Sequence, residues 1–169
     1  MGFLTWSNLD TAPQYSAAIT SMSGLDPATD LGRATLDLEF NLTIRVAATS
    51  PVSGACLEVG TALDVSYQGV RLAGAPVPRL CAGPKHAAEA RRVAWGAAVR
   101  VPRFVLDGLA KDLMNGDAAF DVTIALPPKA SSEGRRQLVQ CMARRVGDDG
   151  ALQAPCLVTE VDTSVNTSG

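Results

Sequence analysis

Residues 36–46 alternate without a break between apolar and polar side chains. The apolar positions are Leu36, Leu38, Phe40, Leu42, Ile44 and Val46, and the polar positions are Asp37, Glu39, Asn41, Thr43 and Arg45. Successive side chains of a β-strand point to opposite faces, so this pattern predicts a strand with one buried and one wet face. Such a strand is typical of an antiparallel sheet.

Most of the remaining chain carries a β signal as well. The further predicted strands are residues 15–22, 63–67, 70–72, 87–99, 117–126, 138–146 and 151–161. In the segment 87–99 the large apolar side chains share one parity, so we expect Trp95 to be a packing residue, and we expect the same of Trp6.

Residues 102–114 depart from the β pattern. Their apolar side chains, Phe104, Val105, Leu109, Leu113 and Met114, fall near helical spacing, and Asn115-Gly116 follows as a stop signal. We therefore predict an all-β fold of about seven or eight strands with one short helix. We expect two antiparallel sheets packed face to face, as in immunoglobulin and fibronectin III domains, because each strand then has one face in the core and one in solvent.

Two predicted turns place the four cysteines in pairs. A hairpin that turns at Gln68-Gly69 sets Cys56 opposite Cys81, and a turn at residues 147–150 sets Cys141 opposite Cys156. Facing residues of a non-hydrogen-bonded pair have Cα atoms about 4.5 Å apart, which suits a disulfide. We predict both disulfides; the alternative is four free thiols that pack as small apolar residues.

Composition and spacing narrow the chemistry. The 169 residues carry a net charge of −2 and a single histidine, His86, and no C-x-x-C motif occurs. We therefore expect no nucleic-acid partner, no metal site, no cofactor and no catalytic activity. His86 is interpreted as a solvated loop residue, and Asp148-Asp149 as part of a turn rather than a calcium site.

Other motifs point towards the cell surface or are neutral. Asn41 and Asn166 each begin a glycosylation sequon, and Asn41 lies on the wet face of its strand. If Arg135-Arg136 and Arg144-Arg145 came together they could meet phosphates or anionic lipid, although we interpret them, like Arg91-Arg92, as a solvated face. Residues 1–7 lack the features of a signal peptide, and an anchor could have lain upstream.

Several segments resemble the plant late embryogenesis abundant type 2 proteins and their harpin-induced-like and non-race-specific-disease-resistance-like relatives. The resembling segments are Tyr15-Ser-Ala-Ala-Ile-Thr-Ser, residues 38–46 (LEFNLTIRV), residues 63–72 (LDVSYQGVRL), Val101-Pro-Arg-Phe-Val-Leu and residues 121–126 (DVTIAL). A looser C-terminal hairpin follows. The family's usual Asn-Pro-Asn after the long strand is replaced by residues 47–51, and its membrane helix is missing.

The resemblance implies a β-sandwich at residues 15–162, an N-terminal extension at residues 1–14 and a flexible tail at residues 163–169. It also implies a non-catalytic role in stress or defence, on the extracytoplasmic face of the plasma membrane, with a protein or membrane-associated partner. The alternatives are a cytoplasmic desiccation protectant with free thiols and a sandwich that binds lipid between its sheets. The sequence does not specify an oligomeric state.

Overall fold

The computed structural model describes residues 12–128 and 135–162. Most of the predicted extension and all of the predicted tail, with Asn166 and Trp6, lie outside these ranges. The strands are β1 (Gln14–Ser23), β2 (Leu36–Ala47), β3 (Ala55–Leu57), β4 (Thr61–Tyr67), β5 (Val70–Val77), β6 (Leu80–Ala82), β7 (Ala87–Val99), β8 (Ala119–Ala125), β9 (Arg135–Arg145) and β10 (Leu157–Asp162). Helix α1 spans Arg103–Met114, and a 3-10 helix spans Asp149–Gln153.

Eight strands form one antiparallel sheet in the order β1-β2-β7-β5-β4-β8-β9-β10, and β3 pairs with β6 separately. The predicted all-β antiparallel class with one short helix is confirmed. The strands number ten in the described residues, where seven or eight were expected. One register pair, Gly74 with Trp95, links β5 to β7, so the eight strands are continuous at the place where a sandwich would divide into two sheets.

The large sheet curls so that its concave face encloses the core. Phe40 on β2 and Phe120 on β8 are separated by three strands in the sheet, yet their ring centroids lie 5.2 Å apart. Both side chains are fully buried. The inward row of residues 36–46 predicted by the alternation is buried throughout, so this strand supplies the centre of the core.

The curl brings β1 beside the chain that connects β9 to β10. The backbone N–H of Gly147 donates to Ile19 O at 2.7 Å, and that of Cys156 donates to Tyr15 O at 2.7 Å. The hydroxyl of Ser16 donates to Leu152 O at 2.8 Å. We call this contact between β1 and residues 147–156 the seam, since it closes the curled sheet.

Helix α1 covers part of the concave face through Val105, Leu106 and Leu109, which are buried. Two of the apolar residues at helical spacing, Phe104 and Met114, lie on the solvent side of the helix and are 78% and 77% exposed. A polar contact adds to the apolar one: the hydroxyl of Tyr67 on β4 donates to Asp112 Oδ2 at 2.6 Å. Burial first, and then the hydrogen bond and charge of Asp112, raise the pKa of Tyr67 to about 12.

The β4–β5 hairpin turns at Gln68-Gly69 as predicted, with Tyr67 opposite Val70. One residue later the register shifts, so Val65 faces Ala73 and the predicted pairing of Val65 with Leu72 is wrong. An extra residue in β5 produces this β-bulge, which the count from the turn could not include.

Two further bulges share one construction. Ala98 in β7 and Ala143 in β9 have positive φ angles of 50° and 55°. The backbone N–H of Ala98 donates to Asp37 Oδ1, and that of Ala143 donates to Asp121 Oδ1, each at 2.9 Å. A positive φ is costly for alanine, and in both strands a carboxylate on the neighbouring strand satisfies the amide that the bulge removes from the ladder.

The link between the two halves of the sheet requires a glycine at position 96. A Cβ atom added to Gly96 would overlap the backbone carbonyl oxygen of Leu72 on β5. That oxygen belongs to the main chain and cannot rotate away, so β5 or β7 would have to move.

We expect Gly96→Ala to lower the free energy of unfolding by about 2 kcal/mol or more, the cost typical of overpacking against a rigid neighbour. Gly32→Ala is the control, since an added Cβ there meets nothing within 4 Å. Urea denaturation of both variants measures the difference. Equal stability of the two would show that β5 and β7 separate freely.

We expect Tyr67→Phe to lower stability by about 1–2 kcal/mol at pH 8, because it removes a hydrogen bond to a carboxylate. The pKa of Tyr67 is higher in the folded chain than in the unfolded chain, so its contribution is complete below pH 10 and declines towards pH 12. Urea denaturation across this range should show the gap between variant and parent narrowing. A gap that stays constant would contradict this assignment.

Candidate functional site

The first disulfide lies in the small sheet. Cys56 on β3 and Cys81 on β6 are register partners with Cα atoms 4.1 Å apart, and their sulfur atoms are bonded. This is the predicted pairing. The bulge in β5 shifts the register between β4 and β5 by one residue, but the register between β3 and β6 again matches the count from the turn. Cys56 is half-buried and Cys81 is exposed.

The second disulfide joins Cys141 on β9 to Cys156, just before β10, with Cα atoms 4.7 Å apart. This pairing too is the predicted one, and Gln140 opposite Leu157 shows the predicted register. The expected strand at residues 151–156 is wrong, because the 3-10 helix occupies residues 149–153. Its N-cap is Asp148, whose Oδ1 accepts from Gly150 N at 3.1 Å. Asp148 therefore takes part in turn structure, as expected.

The buried guanidinium of Arg144 organises the residues around this disulfide. It donates to Ala151 O, Ala154 O and Cys156 Sγ, each at 3.2 Å. The side chain is 9% exposed, and burial lowers the pKa of Arg144, an effect that the charge of Asp148 opposes. Residues 147–156 accept hydrogen bonds from Arg144 through carbonyl oxygens and donate hydrogen bonds to β1 through amides. Arg144 therefore supports the seam.

The idea that Arg135-Arg136 and Arg144-Arg145 form one anion-binding cluster is wrong. They stand at opposite ends of β9, and eight or nine residues of strand separate them by about 28 Å. Arg144 is also committed to backbone carbonyls. Arg145 is exposed, Arg136 is half-buried, and the side chain of Arg135 lies outside the described residues.

A groove of about 590 Å³ opens at one edge of the fold. Its lining includes Tyr15 from β1, Cys56 of the first disulfide, Val59 and the Leu126–Pro128 segment. Tyr15 is buried, which raises the pKa of its hydroxyl. Val59 is 76% exposed. The groove is thus partly apolar and beside a solvent-accessible disulfide.

A second cleft, of about 460 Å³, lies on the convex face of the sheet around Asn41. The amide of Asn41 donates to Ser21 Oγ at 2.9 Å, and its backbone oxygen accepts from Thr20 Oγ1 at 3.0 Å. Arg91, Thr43 and Asp149 also line this cleft. Asn41 stands half-buried on the convex side of β2, the face that the alternation of residues 36–46 predicted to be polar.

His86 is exposed in the loop before β7. Its backbone N–H donates to Gly83 O, and its own carbonyl accepts from Ala48 N. Among residues 12–128 and 135–162, no group of three or more His, Cys, Asp and Glu side chains is arranged to hold a metal ion.

Trp95 is the main departure from the expected packing. It is 61% exposed on the convex face, and the inward parity of β7 is instead the one that contains Ala90 and Ala94. The sequence offered one signal for this. Opposite Phe40 on β2 stands Ala94, and opposite Leu38 stands Gly96, so two of the large inward residues of β2 face small residues on β7.

No family model, curated protein or solved structure matches this chain. Within the described residues no helix has the length and apolar character needed to cross a bilayer.

We expect Arg144→Met to lower the free energy of unfolding by about 2 kcal/mol, because it leaves two carbonyls without their charged donor. Hydrogen exchange should quicken at Gly147 and Cys156, whose amides form the seam. Arg145→Met, at an exposed neighbouring site, is the control and should change neither measurement. Unchanged exchange in Arg144→Met would mean that the disulfide alone holds this segment.

Proposed function

We propose that this chain is a non-catalytic binding or signalling domain of the late embryogenesis abundant type 2 kind. In this proposal it acts in stress or defence response on the extracytoplasmic side of the plasma membrane. The observation that carries the proposal is the pair of disulfides, since each joins cysteines that the sheet brings face to face. Paired disulfides in a small domain are typical of oxidising compartments.

The location of the polar groups supports a binding role. Arg144, Asp112, Asp37 and Asp121 are each bonded within the fold, to backbone or to another side chain. These charged groups therefore hold segments together. The cleft around Asn41, also lined by Thr43 and Arg91, is the polar depression on the solvent-facing side of the sheet.

Lipid binding is a second candidate. The partly apolar groove beside Tyr15 and the first disulfide is the observation that favours it, whereas Phe40 and Phe120 fill the space between the two halves of the sheet. Mass spectrometry should find lipid in the purified protein, and the delipidated protein should take it up again. A delipidated chain that takes up none would exclude this candidate.

The location is tested on protein from its native tissue. Free thiols are alkylated at lysis, and the cysteines are mapped by non-reducing peptide mass spectrometry. We expect linked peptides for Cys56–Cys81 and Cys141–Cys156. Recovery of four alkylated thiols would contradict the extracytoplasmic proposal and favour the cytoplasmic desiccation protectant. That alternative has its own test, the survival of client enzymes on drying in the presence of the chain.

A further inference from the structure

One row of register partners crosses the convex face of the whole sheet. Its members are Ser23, Glu39, Trp95, Gly74, Asp64, Thr123, Gln140 and Leu157. Directly opposed residues of neighbouring strands point to the same face. Trp95 therefore stands near the middle of a broad, mainly polar surface, with Glu39 on one side and Gly74 on the other.

The space above Gly74, beside Trp95 in the row, is filled by a neighbouring pair of charged side chains. Since glycine has no side chain, the position next to Trp95 in the row is occupied only by the Arg71 and Asp64 side chains that reach over it. These two form a salt bridge at 2.7 Å, so their charges are mutually compensated. On this side, therefore, the Arg71–Asp64 salt bridge lies beside Trp95 in the row.

The Asn41 cleft lies farther along β7, and Trp95 is not among its lining residues. Val93, which lines the cleft, is two residues before Trp95 in β7 and shares its face, a separation of about 7 Å along the strand. The cleft adds hydroxyl groups of Thr20 and Thr43, the amide of Asn41 and the guanidinium of Arg91. We call this surface, from Trp95 through Glu39 to the cleft, the convex platform.

The chemistry of the convex platform selects for one class of ligand. A single exposed apolar residue is ordinary, but here a wide aromatic side chain stands about 7 Å along the strand from Val93, which lines a cleft with both donors and acceptors. A sugar ring has an apolar face of C–H groups for the indole and hydroxyls at its rim that donate and accept. The charges of this surface balance, since Glu39, directly opposite Trp95, and Asp149 stand against Arg91 and Arg92. A surface without net charge favours a neutral sugar over an acidic one.

We propose that the convex platform binds a neutral oligosaccharide, with one sugar ring stacked on Trp95 and the next ones hydrogen-bonded in the Asn41 cleft. The inference names a ligand class for the binding domain proposed above, and rests on that proposal for the compartment in which such a ligand is met. Cysteine mapping and sugar binding are measured separately, so either can fail without the other.

Tryptophan fluorescence provides the test, because the chain has only two tryptophans. The full chain with Trp6→Phe, made without glycans so that Asn41 is bare, is titrated with neutral pentasaccharides of glucose, xylose and mannose, and with trigalacturonate as the acidic comparison. We expect at least one neutral sugar to shift the Trp95 emission to the blue and to saturate, and trigalacturonate to bind more weakly.

Variants are compared by calorimetry with the sugar that binds. Trp95→Ala should weaken binding at least about tenfold, as expected for an aromatic anchor, while Trp95→Phe should retain part of it. Glu39→Gln should strengthen the binding of trigalacturonate, because it removes a negative charge opposite Trp95. Met142→Ala removes another exposed apolar side chain, on β9, and should leave binding unchanged. Far-ultraviolet circular dichroism and urea denaturation check that each variant folds.

Four results would overturn the proposal: no neutral pentasaccharide binds, trigalacturonate binds more tightly than all of them, Trp95→Ala binds as well as the parent, or Met142→Ala loses binding as Trp95→Ala does. Sedimentation of the same samples addresses a protein occupant. If no sugar binds and the chain self-associates in a way that Trp95→Ala abolishes, the surface is instead assigned to a second copy of the chain.

Discussion

Closure of the curled sheet at the seam is the constraint on which the rest of the structure depends. β1 is an edge strand, so one of its sides has no neighbouring strand in the sheet. The amides of Gly147 and Cys156 donate hydrogen bonds to the carbonyls on that side. An unpaired edge would expose its backbone groups to solvent and to other chains. The residues that make these bonds belong to no strand, so they need other support. The Cys141–Cys156 disulfide and the buried guanidinium of Arg144 supply it.

The same closure explains how side-chain size is distributed. Curling brings β2 over β8, so that Phe40 meets Phe120 edge to face and the concave side becomes crowded. Beside β2, β7 accommodates this by presenting mostly small residues inward, with Ala94 opposite Phe40 and Gly96 close to the Leu72 carbonyl. The bulkiest side chain of β7 then faces outward. The exposure of Trp95 is therefore a consequence of core packing on the opposite face of its strand.

Counting along the sequence succeeded where contacts are local and failed where distant strands decide. The apolar pattern of residues 36–46 and 87–99 predicted both strands correctly. Counting from two turns paired all four cysteines, because the two strands of each hairpin are close in sequence. Bulges escaped prediction, since Ala98 and Ala143 owe their positive φ to Asp37 and Asp121 on other strands. The inward parity of β7 could have been read from its alanines, had their partner strand been known.

The convex platform differs from the groove beside the first disulfide in how it is held. The groove depends on loop residues such as Val59 and Pro128, whereas Trp95, Glu39 and Asn41 stand on β7 and β2, in the middle of a run of register pairs. Side chains on paired strands keep their mutual geometry better than side chains on loops. A ligand of repeating, rigid units needs such constant spacing, so strand-borne recognition groups favour the sugar chain as the ligand of this domain.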